Sequence, residues 1–390
     1  MGEFEGNHGA SFLIGTSENF AELGKTLNIL HLEASTGWGG QEMRILREAE
    51  GMRRRGHNVI LAVMKKGLLI EKARRAGFIV YELNFQKKAW LFTLFSLLKI
   101  IRRHQISLVN THSSLDSWIG GIAARLSRIK VLRTRHLSGA IRAGWNSRLL
   151  YGFLADFVVT TCAEIVPMVC KQANKASHLC RSIATGVDPE AIVYEKDQSV
   201  RFRESLGVQP DQLLIGTACF MRSWKGILDF LEAANRLREE TSIRWVIIGG
   251  GHFDTYKKKA DELNLEGIVH FTGHLENPFP AMASLDVFAL LSTANEGVSQ
   301  AILQAAFLEK PLIATATGGL SEVCLPGETG IRVNRFASDE VAAAALTMQK
   351  NPEKRALFGK QAKELVLNRF IFEKTLDQME EVYQLINSHS

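Results

Sequence analysis

The sequence contains few cysteines, and their spacing excludes the usual kinds of cysteine site. Its 390 residues include five cysteines, an odd number, and no two of them form a C-x-x-C pair. Structural zinc sites and the disulfide frameworks of small secreted proteins both need closely spaced or paired cysteines. We therefore expect reduced thiols in a cytoplasmic protein, with no metal site built from cysteine.

Long hydrophobic runs are absent as well. A membrane-spanning helix needs about 20 predominantly apolar residues, and no run approaches that length. Residues 1–25 hold one short apolar patch, residues 11–15, among acidic and polar residues. This patch is too short and too acidic for a signal peptide. We predict a flexible leader over residues 1–25 and no membrane-spanning segment.

The two halves of the chain differ in charge. Residues 1–186 contain 26 Lys and Arg against 13 Asp and Glu, whereas the remaining residues contain 21 against 28. A basic half favours an anionic partner, such as a membrane surface, a phosphorylated glycan or nucleic acid. Nucleic acid is disfavoured because the basic residues are scattered over many helices without interleaved aromatic residues.

Residues 89–104 are strongly apolar and follow two lysines, Lys87 and Lys88. Such a helix most often packs against a sheet, but its basic flanks also suit a membrane interface. The two interpretations are compatible if one face of the helix is not used in packing. A peripheral contact with the anionic inner face of the cytoplasmic membrane is therefore an expectation.

Short β-branched runs alternate with amphipathic stretches from residue 26 onwards. This alternation predicts parallel strands joined by crossover helices, and the absence of a short repeat excludes a solenoid. A polar stretch at residues 188–212 interrupts the pattern and is predicted to be a linker. We predict an α/β fold with two Rossmann-like, doubly wound domains, residues 26–187 and 213–370, that face each other across a cleft.

A strand, a loop and a helix are predicted over residues 286–308, and the loop carries a candidate site. The apolar run ends at Ser292, and Glu296 precedes a glycine at the start of the helix. The free backbone N–H groups of Gly297, Val298 and Ser299 would suit a phosphate. Glu296 could face sugar hydroxyls, although an ordinary turn with a capping acid is the simpler interpretation.

The turn after the first strand contains three glycines within residues 37–40. Gly39 and Gly40 would let the backbone approach a ligand at a helix N-terminus, although a mobile loop is a plausible alternative. The turn does not match G-x-G-x-x-G, and no acidic residue closes the next strand. A dinucleotide site is therefore disfavoured.

Two cations stand beside a glycine at the start of another predicted helix. Arg222 and Lys225 precede Gly226, and the N-terminus of a helix is the unfavourable end for a cation. Positive charges on long side chains, combined with backbone N–H groups as hydrogen-bond donors, suit the binding of a diphosphate. Gly249 and Gly250, after the next strand, form a further turn that a ligand could approach closely.

Two histidines follow neighbouring strands of the first half. His112 ends the strand predicted at residues 106–111, and Arg135 and His136 end the next one. The carboxyl ends of parallel strands face the ligand cleft of an α/β domain. A cleft position is therefore favoured for His112 over the alternative of a core histidine.

Taken together, these motifs make residues 26–385 resemble glycosyltransferase family 4, the retaining, metal-independent sugar-nucleotide transferases of the GT-B fold. The resemblance is carried by Gly39-Gly40, Thr111-His112, residues 185–188, Arg222 to Gly226, Gly249 to Gly251, the Glu296 region and residues 318–322. It implies that a last helix, residues 371–390, crosses back onto the first domain.

The resemblance also implies residue roles. Arg222 and Lys225 would hold the donor diphosphate, Glu296 would face the donor sugar, and His112 would lie at the reaction centre. Gln304 stands where the second glutamate of the family's Glu-x7-Glu motif contacts the ribose. The nucleotide side would include Gly249, Gly250, Gly273 and His274, and the acceptor side Arg135 and His136.

The implied activity is transfer of a sugar from a nucleotide-diphosphate sugar, with UDP favoured over GDP or ADP. The acceptor would be a glycan or glycolipid of lipopolysaccharide or surface-polysaccharide synthesis, and no metal or other cofactor is expected. One alternative is a sugar-nucleotide epimerase of the same fold, with Glu296 and Glu322 as its candidate carboxylates. The other is a non-catalytic, glycan-binding pseudo-transferase, which the glutamine at position 304 would favour.

Overall fold

The structure is a computed structural model that describes residues 25–136, 138–139 and 141–388. The predicted leader lies outside the described residues except for Lys25. Within the described residues, no helix is long and apolar enough to cross a membrane.

The first domain is built on a seven-stranded parallel sheet with the strand order β3-β2-β1-β4-β5-β6-β7. Its strands are β1 (Asn28–Glu33), β2 (Asn58–Met64), β3 (Ile79–Leu83), β4 (Leu108–Thr111), β5 (Lys130–Arg135), β6 (Phe157–Thr160) and β7 (Cys180–Ser182). Its helices are α1 (Gly40–Arg54), α2 (Leu69–Arg75), α3 (Trp90–Arg103), α4 (Ser114–Leu126), α5 (Trp145–Ser147), which continues as a π-helix (Arg148–Phe153), and α6 (Ile165–Ala173).

The second domain is built on a six-stranded parallel sheet with the order β10-β9-β8-β11-β12-β13. Its strands are β8 (Leu213–Ala218), β9 (Ile243–Ile248), β10 (Val269–Gly273), β11 (Val287–Leu290), β12 (Leu312–Thr315) and β13 (Gly330–Val333). The helices are α7 (Lys196–Ser205), α8 (Ile227–Arg236), α9 (Phe253–Glu262), α10 (Phe279–Ala283), α11 (Gln300–Phe307), α12 (Ser338–Lys350), α13 (Pro352–Arg369) and α14 (Phe372–Ser388).

The prediction of an α/β fold with two doubly wound halves is confirmed. In both sheets the strand order reverses next to the first strand of the domain, β1 or β8, and the central strands are buried along their whole length. Helices cover both faces of such sheets, which explains why these strands are continuous apolar runs. The crevice outside the carboxyl ends of the strands is where such sheets bind ligands.

The stretch predicted to be a linker contains a helix, α7. None of its residues is buried, so no apolar periodicity marks it in the sequence. Arg203 of α7 donates to the Asp286 carboxylate (2.8 Å), just before β11. This part of the stretch therefore packs on the second domain.

The last helix, α14, lies on the first domain, as predicted. Its buried residues, among them Leu376, Met379 and Tyr383, join the core formed by α1 and β1. At the crossing point the Val187 N–H donates to the Phe370 carbonyl, and the Phe372 N–H donates to the Val187 carbonyl, both at 2.7 Å. Two chain segments thus connect the domains side by side.

Candidate functional site

A cavity of about 520 Å³ lies between the two domains. It sits where the carboxyl ends of both sheets face each other, as expected for doubly wound domains. The structure brings together here many of the residues predicted from sequence: Gly39, Gly40 and His136 from the first domain, and Arg222, Lys225, Glu296, Gly297, Val298 and Ser299 from the second.

Lys225 and Glu296 form an ion pair on the wall of this cavity. Lys225 Nζ lies 3.0 and 2.7 Å from the two carboxylate oxygens of Glu296. The Lys225 side chain is 17% exposed and that of Glu296 is 8% exposed. The next residue, Gly226, has a φ of +67°, and a Cβ there would lie 2.0 Å from the Leu291 carbonyl oxygen. Only glycine fits this contact, which places Lys225 at the end of β11.

Arg222 lies at the rim of the cavity and is exposed. Its guanidinium carbon lies 5.2 Å from the ring centroids of both Phe220 and Trp224. Cation–π contacts of this kind orient a long side chain while leaving its donors free. The two cations therefore reach the cavity in different ways, Lys225 from a partly buried position and Arg222 from solvent.

The loop before α11 touches the first domain. The Val298 N–H donates to the Thr161 carbonyl oxygen (3.1 Å). Contrary to the prediction, this amide is therefore not free to bind a phosphate, although Val298 does line the cavity. The unpaired amides at the start of α11, beyond Ser299, remain available. A phosphate at this position would meet the helix N-terminus from the cavity side.

Gln300 and Gln304 lie four residues apart in α11, a spacing that predicts one helix face, but their surroundings differ. The Gln300 side-chain amide donates to the Thr185 carbonyl (2.6 Å) and lies 3.3 Å from the Gly186 carbonyl, which ties α11 to the domain crossing. Gln304 lies one turn further on and is not among the residues that line the cavity. Its predicted contact with a ribose stays a prediction.

His112 does not line the cavity but lies directly behind a residue that does. Its Nδ1 lies 3.0 Å from Nε2 of His136, and its Nε2 lies 2.9 Å from Nδ1 of His31. Burial lowers the pKa of His112 and His136 well below the usual value for histidine, and the nearby charges of Arg44 and Arg133 lower it further. Burial also lowers the pKa of His31, which the charge of Glu48 opposes. Burial therefore favours the neutral form of all three rings.

Two buried carboxyl groups that the sequence reasoning missed hold the glycine-rich turn. Glu33 accepts hydrogen bonds from the Ser35 N–H (2.6 Å), the Ser113 hydroxyl (2.6 Å) and the Gln41 side-chain amide (2.5 Å). Asp116 accepts from the N–H groups of Ala34 (3.0 Å) and Ser113 (2.9 Å). Burial raises the pKa of both carboxyl groups. The Ser-x-x-Asp spacing of residues 113–116 resembles a capping box and could have revealed Asp116.

The residues predicted for the nucleotide side lie next to the cavity rather than in its wall. The Gly249 N–H donates to the Gly273 carbonyl (3.0 Å), and a Cβ on Gly250 would lie 3.5 Å from Cβ of His274. Gly249 has a φ of +130°, and a Cβ there would lie 2.1 Å from the carbonyl oxygen of Cys219, which does line the cavity. These turns therefore adjoin the cavity at the end of β8.

Arg135, predicted on the acceptor side, faces away from the cavity wall. Its guanidinium donates to the Tyr151 hydroxyl and to the Gly139 carbonyl, both at 2.6 Å. It therefore holds the loop that follows β5, and His136 alone of this pair lines the cavity. Among the described residues no group of three or more His, Cys, Asp or Glu could hold a metal ion, and all five cysteines are free thiols.

Comparison with known proteins relates both halves of the chain to glycosyltransferases. The sequence model described as Glycosyltransferase Family 4 matches residues 38–191, and the model described as Glycosyl transferases group 1 matches residues 199–365. The chain is 24% identical over 293 residues to N-acetyl-alpha-D-glucosaminyl L-malate synthase of Bacillus anthracis, covering 73% of this chain and 76% of that protein.

Solved structures share the fold at low sequence identity. A glycosyltransferase from Rickettsia africae superposes with a TM-score of 0.86 at 19% identity, covering 94% of this chain and 100% of the other. HepE of Anabaena, solved in complex with UDP, gives a TM-score of 0.81 at 21% identity, covering 92% of this chain and 100% of the other.

Proposed function

Because the chain belongs to glycosyltransferase family 4 and has the GT-B fold, we propose that it transfers a sugar, with retention of configuration, from a UDP-sugar to a glycan or glycolipid acceptor. The chain is a glycosyltransferase of the kind that uses sugar-nucleotide donors. One observation supports the proposed transfer from a UDP-sugar: Lys225, Arg222 and the N-terminus of α11 lie together in one interdomain cavity. UDP is preferred because HepE, which shares the fold, was solved with it.

In the proposed reaction the leaving diphosphate lies against the second domain. Lys225, Arg222 and the first amides of α11 stabilise the negative charge that develops as the bond to the sugar breaks. The acceptor hydroxyl attacks from the same face and gives its proton to a phosphate oxygen of the donor. Glu296 orients the sugar, and its ion pair with Lys225 holds both side chains in position.

The cavity argues against an epimerase. That reaction would need acid and base groups around the sugar, and Glu296, the carboxylate in the cavity wall, is already paired with Lys225. The second candidate, Glu322, accepts a hydrogen bond from the Ala163 N–H (2.7 Å) and lies outside that wall.

The acceptor is proposed to lie on the basic first domain, close to an anionic membrane surface, in the synthesis of lipopolysaccharide or another surface polysaccharide. Helix α3 packs on the sheet through Leu97, Ile100 and Ile101, but leaves a second apolar face uncovered. On that face Phe92 is 77% exposed and Phe95 is 64% exposed. Apolar side chains flanked by lysines suit the interface of an anionic bilayer.

Binding of nucleotides tests the donor directly. Among UDP, GDP, ADP and CMP, we expect UDP to raise the melting temperature most, because a ligand that binds only the folded state stabilises it by mass action. At 100 times its dissociation constant the gain is about 2.7 kcal/mol in the free energy of unfolding. A melting temperature that none of the four nucleotides changes would contradict the proposed donor and favour the pseudo-transferase.

Vesicle binding tests the membrane contact. Replacing Phe92 and Phe95 by serine is expected to weaken binding to vesicles containing anionic lipid about tenfold or more, since partial burial of each ring contributes about 1 kcal/mol or more. Phe336 in the second domain is also 77% exposed, and Phe336→Ser is the matched control. Equal binding by both variants and the unchanged protein would identify α3 as a helix that only packs on the sheet.

A further inference from the structure

The chain between β5 and α5 follows the edge of the first domain that borders the cavity. Because β5 and β6 are parallel neighbours, the chain leaves β5 at the carboxyl edge of the sheet, where the ligand crevice of such a domain lies. A Cβ on Gly139 would lie 3.0 Å from Oδ1 of Asn295, which lines the cavity. Trp145, the first residue of α5, follows shortly in the chain and is 78% exposed. A large aromatic ring is therefore exposed at the cavity edge of the first domain.

The backbone around Trp145 is held by contacts on both sides. The Ile141 side chain is buried in the hydrophobic core, and the Ser147 hydroxyl donates to the Arg142 carbonyl (2.6 Å). The Arg148 N–H donates to the Gly144 carbonyl (3.2 Å). The indole is thus presented to solvent from a fixed backbone, as in binding sites, where rigid aromatic side chains contribute much of the contact area.

Two exposed arginines, Arg142 and Arg148, flank Trp145. Trp145 and Arg148 are three residues apart within one helical turn, a spacing that makes their side chains neighbours. Among the described residues, neither guanidinium forms an ion pair or a side-chain hydrogen bond, whereas Arg125 on α4 pairs with Asp156 (3.0 Å). The donors of both arginines are therefore available to a ligand.

The loops along the same edge carry cations without acids. The loops that follow β1 to β5 are residues 34–39, 65–68, 84–89, 112–113 and 136–144, and none of them contains Asp or Glu. Their exposed cations are Lys65, Lys66, Lys87, Lys88 and Arg142. Glu33 and Asp116 lie beside these loops in the chain but are buried. The exposed surface of these loops is therefore positive, which favours an anionic ligand.

We propose that Arg142, Trp145 and Arg148 form an acceptor subsite for an anionic sugar unit, whose charge is a phosphate or a carboxylate group. The guanidinium groups match the geometry of both anions, and the indole covers the apolar face of the sugar ring. The acceptor is thus anchored through a group that does not react, and this binding energy orients its attacking hydroxyl group. The inference rests on the proposed function, because only a transfer reaction needs an acceptor.

Nitrogen-15 NMR of the tryptophan indoles tests the subsite without donor or transfer. The Trp145 signal is identified by its absence in Trp145→Phe, and the probes are glucose 6-phosphate, glucuronate, glucose and inorganic phosphate. We expect both anionic sugars to shift this signal at concentrations about tenfold or more below those needed for glucose or for inorganic phosphate, because a charged hydrogen bond and ring contact act together. The tighter of the two identifies the anionic group. Equal binding of glucose, or a Trp145 signal that no sugar shifts, would overturn the proposal.

Paired variants separate the subsite from the general charge of the domain. Arg142→Gln combined with Arg148→Gln should weaken binding of the anionic sugars about tenfold or more, the cost of losing charged hydrogen bonds. The control is Arg102→Gln combined with Arg128→Gln, which removes the same charge from exposed arginines at the opposite, amino edge of the sheet. The control should bind both sugars like the unchanged protein. Equal losses in the two double variants would contradict a subsite beside Trp145.

Two further measurements identify the occupant and separate this inference from the proposed function. Trp145→Ser should bind anionic vesicles as well as the unchanged protein does. A loss as large as that from replacing Phe92 and Phe95 would assign the segment to a membrane and overturn the proposal. If UDP raises the melting temperature but no sugar shifts the Trp145 signal, the subsite alone is wrong. If the anionic sugars bind but none of the four nucleotides changes the melting temperature, the proposed donor is wrong and the subsite stands as an anionic sugar site.

Discussion

Replacing Lys225 by alanine is expected to lower the rate of sugar transfer about 100- to 1000-fold, the range for loss of one group that stabilises a developing negative charge. Lys225 is the partly buried cation of the cavity, and Nζ is fixed by both oxygens of Glu296. A cation held in a site with little water acts more strongly on a diphosphate than one in solvent. The measurements are initial rates with UDP-glucose and the increase in melting temperature with UDP, and both should decrease.

Two further variants separate the role of the charge from an effect on folding. Lys257→Ala is the control, because Lys257 pairs with Asp261 on the exposed surface of α9 (2.7 Å) and is expected to have no effect on transfer. Lys225→Ala leaves the Glu296 carboxylate, 8% exposed, without its cation, which is itself destabilising. Adding Glu296→Gln should restore the melting temperature but not the transfer rate. Full transfer by the double variant would rule out an essential charge at this position.

Much of the fold could be predicted because its strands are buried on both faces and read as apolar runs. A β-branched run between polar residues predicts a strand at residues 58–64, and β2 (Asn58–Met64) has these bounds. The edge strand β13 (Gly330–Val333) was not predicted, because two of its four residues are only half-buried and give no continuous run. Apolar spacing predicts a helix at residues 145–154, but from Arg148 to Phe153 this helix is a π-helix, which the spacing does not reveal.

Residues of the site could be predicted only where a local sequence pattern, such as a glycine-containing turn, marks them. Lys225 and Glu296 were each found from a glycine-containing helix start, but they are 71 residues apart and their contact depends on how β8 and β11 lie side by side. His31 gave no signal, because a histidine in the middle of a buried strand resembles any other inward-facing residue. The direction of Gln300, towards the domain crossing, depends on the relative position of the two domains.

The two glycines after β12 show how the fold fixes the site. Gly318 has a φ of +53°, and a Cβ there would lie 1.7 Å from the carbonyl oxygen of Glu296. The Gly319 N–H donates to that same oxygen (3.2 Å), and a Cβ on Gly319 would lie 2.3 Å from the Val298 nitrogen. The backbone of Glu296 is therefore held by a turn that leaves no room for a side chain.

Replacing Gly318 by alanine is accordingly expected to affect both stability and transfer. Left-handed backbone strain costs about 1–3 kcal/mol and the steric conflict about as much again, so the free energy of unfolding should fall by about 3 kcal/mol or more. Displacement of Glu296 by about 1 Å should lower transfer about 100-fold. Gly327→Ala separates the two costs, because Gly327 has a φ of +81° with no atom within 4 Å of a Cβ. Urea unfolding and initial rates should show strain alone in Gly327→Ala, with normal transfer. Equal effects in the two variants would mean that the close contact of Gly318 with Glu296 does not position Glu296. Glycine would then be needed at position 318 only for its backbone conformation.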